Sequence, residues 1–311
     1  MEKKPLIIIA GPTAVGKTNI SIKLAKALSG EIISADSVQV YRGLDIGSAK
    51  ITKEETEGVP HHLIDILDPA DDFNVAVFKD LVYEAVEKIY AKGHIPIMVG
   101  GTGFYIQAVL KDVDFSEGAA DEDYRAELSE FANINGAEAL HDRLSEIDSE
   151  AAEAIPAGNV KRVIRALEFY KVTGMKISEH NKTQAERPSV FDTRFFVLTD
   201  ERELIYKRID ERVDLMMKAG LLDEVRSLYE SGISREAVSM QSLGYRQIMD
   251  YLYGDCDLEE AVYQIKLQTR HFAKRQITWF KREKEAIWVD KSEFNRDEDA
   301  ILKYMIDKCS F

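Results

Sequence analysis

The most informative chemistry in the sequence is a glycine-rich octapeptide that ends in lysine and threonine. The G-x-x-x-x-G-K-[ST] pattern of phosphate-binding loops is matched by Gly11-Pro12-Thr13-Ala14-Val15-Gly16-Lys17-Thr18. Glycines let backbone N–H groups turn toward a phosphate, and the N-terminus of a following helix adds positive potential. We predict that Lys17 reaches the terminal phosphate oxygens and that the Thr18 hydroxyl ligates Mg²⁺. The loop, which is typical of ATP-binding proteins, indicates a bound phosphate chain without specifying a nucleotide.

Polar residues also follow two later apolar runs. Asp36 comes directly after Glu31–Ala35, and Thr102 follows Ile95–Val99 within Gly100-Gly101-Thr102-Gly103. If these runs are parallel strands, Asp36 and Thr102 emerge at the same sheet edge as the loop. There Asp36 could act as a general base or hold Mg²⁺ through water, and Thr102 offers a hydroxyl. Purely local roles are the alternative, with Asp36 as a turn residue or helix cap and Thr102 as a helix N-cap.

Hydrophobic periodicity predicts the elements that position these residues. The predicted strands are Leu6–Ala10, Glu31–Ala35, His62–Ile66, Ile95–Val99, Arg194–Thr199 and Ala286–Val289. The predicted helices are Lys17–Leu28, Phe73–Ala91, Glu201–Ala219, Leu221–Tyr229, Ser239–Tyr253 and Leu258–Lys284, followed by a terminal helix. Alternating strands and helices indicate an α/β fold, namely a P-loop NTPase-like parallel sheet flanked by helices.

The middle of the chain has a different character. Strand signals are absent from residues 114–189, which have a high charge density and helical patterns broken by Gly136, Gly158 and Gly174. We therefore predict an inserted all-helical subdomain at 114–189, within a P-loop core made of residues 1–113 and 190–311.

The charge distribution is uneven. The net charge is −14, and the segment Asp112–Glu153 alone, with fourteen acidic and two basic residues, contributes −12. An acidic average argues weakly against a nucleic-acid partner, because phosphate binding needs local positive charge. However, the segment Lys266–Lys284 has seven basic residues and one acidic residue. Within it Lys266, Arg270 and Lys274 recur every four residues, which places them on one helix face suited to backbone phosphates.

Composition and missing motifs exclude several classes. With 45% hydrophobic and 31% charged residues, the chain is typical of a globular protein. It has no apolar run near the ~18 residues of a membrane span, and no signal peptide is recognisable, so we expect a cytoplasmic protein. Two cysteines, Cys256 and Cys309, exclude a disulfide scaffold or a four-cysteine zinc site. The guanine-reading Asn-Lys-x-Asp of GTPases is not matched by Asn181-Lys182-Thr183-Gln184.

Taken together, these motifs resemble those of one enzyme family. The order Gly-Pro-Thr-Ala-Val-Gly-Lys-Thr, Ser-Ala-Asp-Ser-Val-Gln-Val-Tyr-Arg and Gly-Gly-Thr-Gly-Phe-Tyr is similar to that of bacterial tRNA dimethylallyltransferases, also called tRNA isopentenyltransferases. Later segments match too: Lys161–Glu168, Arg212–Met216 with Gly220-Leu221, and Thr269–Trp279. The likeness extends from Leu6 to about Val289.

The resemblance implies a reaction and roles for residues. The family transfers a dimethylallyl group from dimethylallyl diphosphate to N6 of the adenosine 3′ to the anticodon, position 37, in tRNAs that read codons beginning with U. By resemblance Lys17, Thr18 and Mg²⁺ neutralise the leaving diphosphate, and Asp36 removes the amine proton. Thr102 is implied to lie beside the reacting centre. Arg212 is implied to contact the diphosphate, although its helix spacing alone would fit a solvated face.

The same resemblance implies a tRNA-binding surface. A base flipped from its stack would meet Asp36, Ser37, Val38, Gln39 and Thr102. The segment implied to touch tRNA is Lys161, Arg162, Val163, Ile164 and Arg165, and Arg125 is a weaker candidate from the insertion. Together with the Lys266, Arg270 and Lys274 face, these predict contact with the anticodon stem-loop by a monomeric enzyme.

Three other functions are consistent with parts of the sequence. A prenyltransferase for free adenine nucleotides would need neither the insertion nor the basic helix face. A phosphate-loop kinase for a small metabolite would use the loop for ATP. A non-catalytic RNA-binding module would leave Asp36 and Thr102 without a role.

Overall fold

In the computed structural model, residues 3–115 and 121–310 are described. The strands are β1 (Pro5–Ala10), β2 (Gly30–Ala35), β3 (His61–His62), β4 (Ile95–Gly100), β5 (Asp192–Thr199) and β6 (Ile287–Asp290). The helices are α1 (Lys17–Leu28), α2 (Val75–Ala91), α3 (Gly103–Leu110), α4 (Glu122–Asn135), α5 (Ala137–Ile147), α6 (Ser149–Ala154), α7 (Val160–Thr173), α8 (Ile177–Glu186), α9 (Arg202–Lys218), α10 (Leu221–Glu230), α11 (Tyr245–Leu252), α12 (Leu258–Phe280) and α13 (Glu298–Asp307).

The strands form one parallel sheet in the order β3-β2-β4-β1-β5-β6. Strand β1 is central, and its residues Leu6–Ala10 are fully buried, as expected for a strand covered on both faces. In the register, Ala10 lies opposite Gly100, and Gly100 lies opposite Ala35. Because these three strand ends are level, the turns that follow them meet at one edge of the sheet. The predicted parallel α/β fold is confirmed.

Three predicted elements are wrong in extent. Of the expected strand His62–Ile66 only His62 lies in β3 (His61–His62), because Leu63 (φ +63°) and Asp65 (φ +55°) adopt left-handed conformations that end the strand. The expected helix Ser239–Tyr253 is split into a 3₁₀ turn, Val238–Gln241, and α11, since Gly244 has φ +92°. The long basic helix also ends at Phe280 instead of Lys284.

A buried carboxylate anchors the opposite edge of the sheet. Glu31, at the start of β2, lies 2.7 Å from His62 Nε2 and 2.7 Å from His94 Nδ1, and accepts a 2.9 Å hydrogen bond from Lys92. Burial raises the pKa of Glu31, but the hydrogen bonds to His62, Lys92 and His94 outweigh it and lower the pKa to about 2. This cluster ties β2 to β3 and to the turn before β4.

The chain divides into two compact units. Residues Met1–Val109 and Phe191–Phe311 form the first unit, which contains the sheet, and Leu110–Val190 form the second. The second unit contains helices α4 to α8 and has its own apolar core, which includes Leu128, Leu140, Val163 and Leu167. Glu117, part of the acidic segment, lies outside the described residues. No helix in the described ranges has the length and apolar character needed to cross a membrane.

Candidate active site

A cavity of about 510 Å³ opens at the carboxyl edge of the sheet in the first unit. It is lined by the turns after β1, β2 and β4 and by the facing sides of α9 and α12. The polar side chains in its wall are those of Thr13, Lys17, Thr18, Ser34, Asp36, Ser37, Gln39, Ser48, Thr102, Arg212, Gln241, Ser242, Arg246, Gln268, Thr269, Arg275 and Gln276. The three polar turns that the sequence singled out therefore converge.

The phosphate loop has the backbone that an anion site requires. Gly11 has φ +143°, and a Cβ there would lie 2.5 Å from the Leu198 carbonyl oxygen, so a side chain is excluded at this position. Gly16 caps α1 with φ +91° and supplies no capping side chain. The first N–H groups of α1 are therefore left for a bound anion, whose charge the helix dipole favours.

The Lys17 side chain curls over its own loop. Its ammonium donates hydrogen bonds to the carbonyl oxygens of Gly11 (3.0 Å) and Pro12 (2.9 Å). Burial, together with the nearby charge of Arg212, lowers the pKa of Lys17 to about 8, while Asp36 opposes this shift. An anion beside Lys17 would offset both of the effects that lower this pKa.

Asp36 combines a turn role with an orientation toward the site. Its Oδ1 accepts hydrogen bonds from the backbone N–H groups of Val38 (2.8 Å) and Gln39 (3.3 Å), which is the local role that the sequence left open. No described residue hydrogen bonds to Oδ2. The turn therefore holds the carboxylate in place and leaves one oxygen for a ligand.

The turn after β4 brings Thr102 to the cavity. Gly100 has no room for a side chain, because a Cβ there would overlap the Ala35 carbonyl oxygen on the neighbouring strand. The Thr102 carbonyl accepts a 3.1 Å hydrogen bond from the N–H of Ile106 at the start of α3. The Thr102 hydroxyl itself makes no hydrogen bond with the described residues and lines the cavity. The N-cap role that the sequence left open is therefore not observed, and the Thr102 side chain is available for a ligand.

Arg212 reaches the cavity from α9 and is half-buried. No described side chain forms a hydrogen bond or an ion pair with it. Burial lowers the pKa of the Arg212 guanidinium, and the charges of Asp36 and Glu55 oppose this shift. Arg208, one helical turn earlier, is instead held by Asp200 at 2.8 Å. Arg212 therefore faces the site, and the solvated helix face considered from its spacing does not describe it.

Sequence reasoning missed the contribution of helices α11 and α12. Ile265, Gln268, Thr269, Phe272 and Gln276 line the cavity from one face of α12, and Arg246 and Arg275 add positive charge. The signal was present as polar residues at intervals of three to four on the inward face of an amphipathic helix. Among the described residues that line the cavity, Asp36 is the only carboxylate, whereas Lys17, Arg212, Arg246 and Arg275 are cations. Such a site favours a multiply charged anion.

The phosphate loop also offers a ligand for a magnesium ion that is coordinated by substrate phosphates. Thr18 lines the cavity, and its hydroxyl has no hydrogen-bond partner in the described part of the chain. Within residues 3–115 and 121–310, no cluster of three or more His, Cys, Asp or Glu residues could hold a metal alone. Mg²⁺ is typically held by one or two protein oxygens together with substrate phosphates and water, and Thr18 can supply one of these.

The predicted base-reading residues lie at the cavity, but Gln39 is engaged. Ser37, Val38 and Gln39 all line the wall. The Gln39 amide accepts a hydrogen bond from Ser34 (3.1 Å) and donates one to the Ser48 carbonyl (3.3 Å). In this structure the Gln39 side chain therefore stabilises the turn after β2.

The predicted basic face of α12 is partly neutralised within the fold. Lys266 pairs with Asp214 at 2.6 Å and Arg270 pairs with Asp210 at 2.5 Å, both across to α9. Lys274 is exposed. Two of the three cations therefore join α12 to α9.

In the second unit the candidate tRNA-binding residues have different environments. Arg125 and Arg165 both pair with the buried Glu168, at 2.7 Å and 2.8 Å. The side chains of Val163 and Ile164 are buried in the core of the unit. Lys161 and Arg162 are exposed, whereas Arg165 is half-buried and paired with Glu168.

Comparison with known proteins identifies the family. The model of the IPP transferase family matches residues 39–283. This chain belongs to the IPP transferase family. A protein named tRNA dimethylallyltransferase from Lachnoclostridium phytofermentans is 56% identical over 303 residues, covering 97% of this chain and 96% of the relative. A protein of the same name from Halalkalibacterium halodurans is 49% identical, covering 95% and 94%.

Solved structures agree with this assignment to the IPP transferases. The full-length tRNA isopentenylpyrophosphate transferase from Bacillus halodurans has a TM-score of 0.74 at 47% identity, covering 98% of this chain and 97% of its own. A eukaryotic dimethylallyltransferase, described as acting on tRNA, has a TM-score of 0.78 at 31% identity, covering 92% and 74%. The family resemblance inferred from the sequence motifs is confirmed.

Proposed function

We propose that this enzyme transfers a dimethylallyl group from dimethylallyl diphosphate to N6 of the adenosine at tRNA position 37, in tRNAs that read codons beginning with U. The observation that carries the proposal is the convergence of the phosphate loop, Lys17 and Arg212 with Asp36 and Thr102 around one cavity. The first group suits a diphosphate, and the second suits an amine that must lose a proton. The names of the relatives support tRNA as the acceptor.

The donor side of the cavity stabilises the leaving group. The N–H groups at the start of α1, Lys17 and Arg212 bind the diphosphate oxygens. As the allylic C–O bond breaks, its electron pair moves onto the diphosphate, and the two cations stabilise the growing charge. Mg²⁺, held by Thr18 and the diphosphate, would supply further charge neutralisation.

The acceptor side of the cavity orients and deprotonates the nucleophile. The lone pair of the adenine amine is delocalised into the ring, so the amine attacks well only if its proton is removed as the N–C bond forms. Asp36 accepts that proton on Oδ2, while the hydrogen bonds from Val38 and Gln39 keep the carboxylate in place. The Thr102 hydroxyl orients the amine. The products are N6-dimethylallyladenosine and diphosphate.

The target base must leave its stack to enter a cavity of this kind. We propose that the second unit contacts the anticodon stem, with Lys161 and Arg162 as its accessible cations, and that Lys274 on α12 binds a backbone phosphate. The proposal places this reaction in the cytoplasm and assigns it to a monomer. Size-exclusion chromatography with light scattering measures the oligomeric state.

A paired transfer assay tests the proposal. The protein is incubated with Mg²⁺, labelled dimethylallyl diphosphate and either unmodified tRNA or AMP, with ATP hydrolysis measured in parallel. We expect label at position 37 of the tRNA and none in AMP. Label in AMP alone would indicate a free-nucleotide prenyltransferase. Phosphate released from ATP without label transfer would indicate that the loop binds a nucleotide, as a phosphate-loop kinase would.

A further inference from the structure

Gln276 connects two turns of the cavity that belong to different strands. Its side chain extends from α12, and the residue is only 6% exposed. Its Oε1 accepts a 2.9 Å hydrogen bond from the backbone N–H of Thr13, in the phosphate loop. Its Nε2 donates a 3.0 Å hydrogen bond to the carbonyl of Gly101, in the turn after β4. One carboxamide therefore joins the loop that precedes α1 to the turn that carries Thr102.

The backbone of the turn after β4 packs closely against this amide. A Cβ on Gly101 would overlap Gln276 Nε2 and would lie 3.3 Å from the carbonyl oxygen of Gly11, so the two turns meet closely there. One helical turn further along α12, Trp279 occupies the space where a Cβ on Gly103 would lie. Helix α12 thus packs closely against the turn after β4 and against the first residue of α3.

The chemistry of the amide explains the residue type. A bridge between an N–H donor and a carbonyl acceptor needs one acceptor and one donor on the same side chain, which glutamine provides. Glutamate would lack the donor for Gly101, and methionine would keep the length without strong hydrogen bonding. The Thr13 N–H, bonded to Gln276, is satisfied before any ligand arrives.

We propose that Gln276 is a positioning residue that fixes the spacing between the diphosphate held by the phosphate loop and the acceptor amine held beside Thr102. This inference rests on the proposed function, because that reaction joins a group bound at the loop to a group bound at the turn. Gln276 touches neither reacting atom and acts through the two backbone groups that it binds. Misplacing reacting groups by about 1 Å can cost ~10²-fold in rate, which sets the scale of its effect.

A double-mutant cycle tests the coupling. Gly101→Ala displaces the Gln276 amide, and Gln276→Ala removes it and vacates the space that the new methyl group needs. Each single variant should lower kcat by about 10- to 100-fold, with the KM for tRNA within about threefold of wild type. The double variant should be no more than about threefold slower than the slower single variant. Fold-losses that multiply would mean that the two residues act independently and would overturn the inference.

Two further variants separate hydrogen bonding from packing. Gln276→Met keeps the side-chain length and should reproduce the kcat loss of Gln276→Ala with a smaller change in melting temperature. Gln264→Met, on the same helix but bonded only to neighbours in α12, is the matched control and should stay within about twofold of wild type. A Gln276→Met enzyme with kcat within about twofold of wild type would refute the positioning role.

Failure of the proposed function can be distinguished from failure of the role inferred for Gln276. If the wild-type enzyme transferred no label to tRNA, the proposed function would fail. The same cycle would then be measured as the affinity for inorganic diphosphate in Mg²⁺ by titration calorimetry. Losses of affinity in both single variants that do not multiply in the double variant would support the bridge to the phosphate loop, and unchanged affinity would refute it.

Discussion

The lowered pKa of Lys17 makes a quantitative prediction about diphosphate binding. The half-buried Lys17 side chain has a pKa of about 8 instead of the ordinary 10.5, because of its burial and the nearby charge of Arg212. The free enzyme therefore loses this positive charge as the pH rises through 8. A bound diphosphate favours the charged form of Lys17. At pH values where Lys17 is neutral in the free enzyme, diphosphate binding should therefore be accompanied by protonation of Lys17.

The expected size follows from the protonated fraction. With a pKa of about 8, about 90% of Lys17 is charged at pH 7 and about 10% at pH 9. If only the charged form binds diphosphate well, the affinity due to Lys17 should fall about tenfold between these two pH values. Lys17→Met removes the titrating group and should bind more weakly at both.

The assay is titration calorimetry with inorganic diphosphate at fixed Mg²⁺, for wild type and Lys17→Met at pH 7, 8 and 9. The ligand titrates too, but its ionisation affects both proteins equally, so the ratio of the two affinities isolates Lys17. We expect this ratio to fall about tenfold from pH 7 to 9, by the same protonation argument. A constant ratio would refute the reasoning, because Lys17 would then not titrate in this range or not contact the anion.

Three further predictions concern the carboxylates and the glycine turn. Asp36→Asn keeps an acceptor for the Val38 N–H but removes the base. The single-turnover rate should therefore fall ~10²–10⁴-fold, while the affinity for diphosphate is retained. A single-turnover rate equal to that of wild type would exclude the base role. Glu31→Gln should cost about 3 kcal/mol of unfolding free energy at pH 7, from a pKa lowered from 4.5 to about 2. In urea titrations that difference should be complete above about pH 5 and shrink as the pH falls toward 2; a pH-independent difference would contradict it. Gly100→Ala should force β2 and β4 apart and lower kcat by ~10²-fold. The control Gly158→Ala, which has open space around its Cβ, should leave kcat unchanged. Equal kcat values for the two variants would show that the strand ends tolerate a side chain.

The sequence by itself determined the features that depend on local pattern. The phosphate loop, the start and end of α1, and five of the six predicted strands are encoded in runs of neighbouring residues. Their order then implies a parallel sheet, since strands alternating with helices can connect in few other ways. Asp36 and Thr102 were found because parallel strands end at one edge, so a position along the chain predicts a position in space.

Only the tertiary structure decided which polar groups are already engaged. Lys266 and Arg270 matched a free basic face in sequence, but both are paired across to α9. Gln276 carried no local signal of its role, because its two partners lie more than 170 residues away in the chain. The strand expected at His62–Ile66 is ended by the left-handed residues Leu63 and Asp65, and the N–H groups of Asp65 and Ile66 hydrogen bond to the carbonyls of Gln39 and Val40 in another segment. Hydrogen bonds and ion pairs between distant segments depend on a folded backbone, and periodicity along the chain carries no information about them.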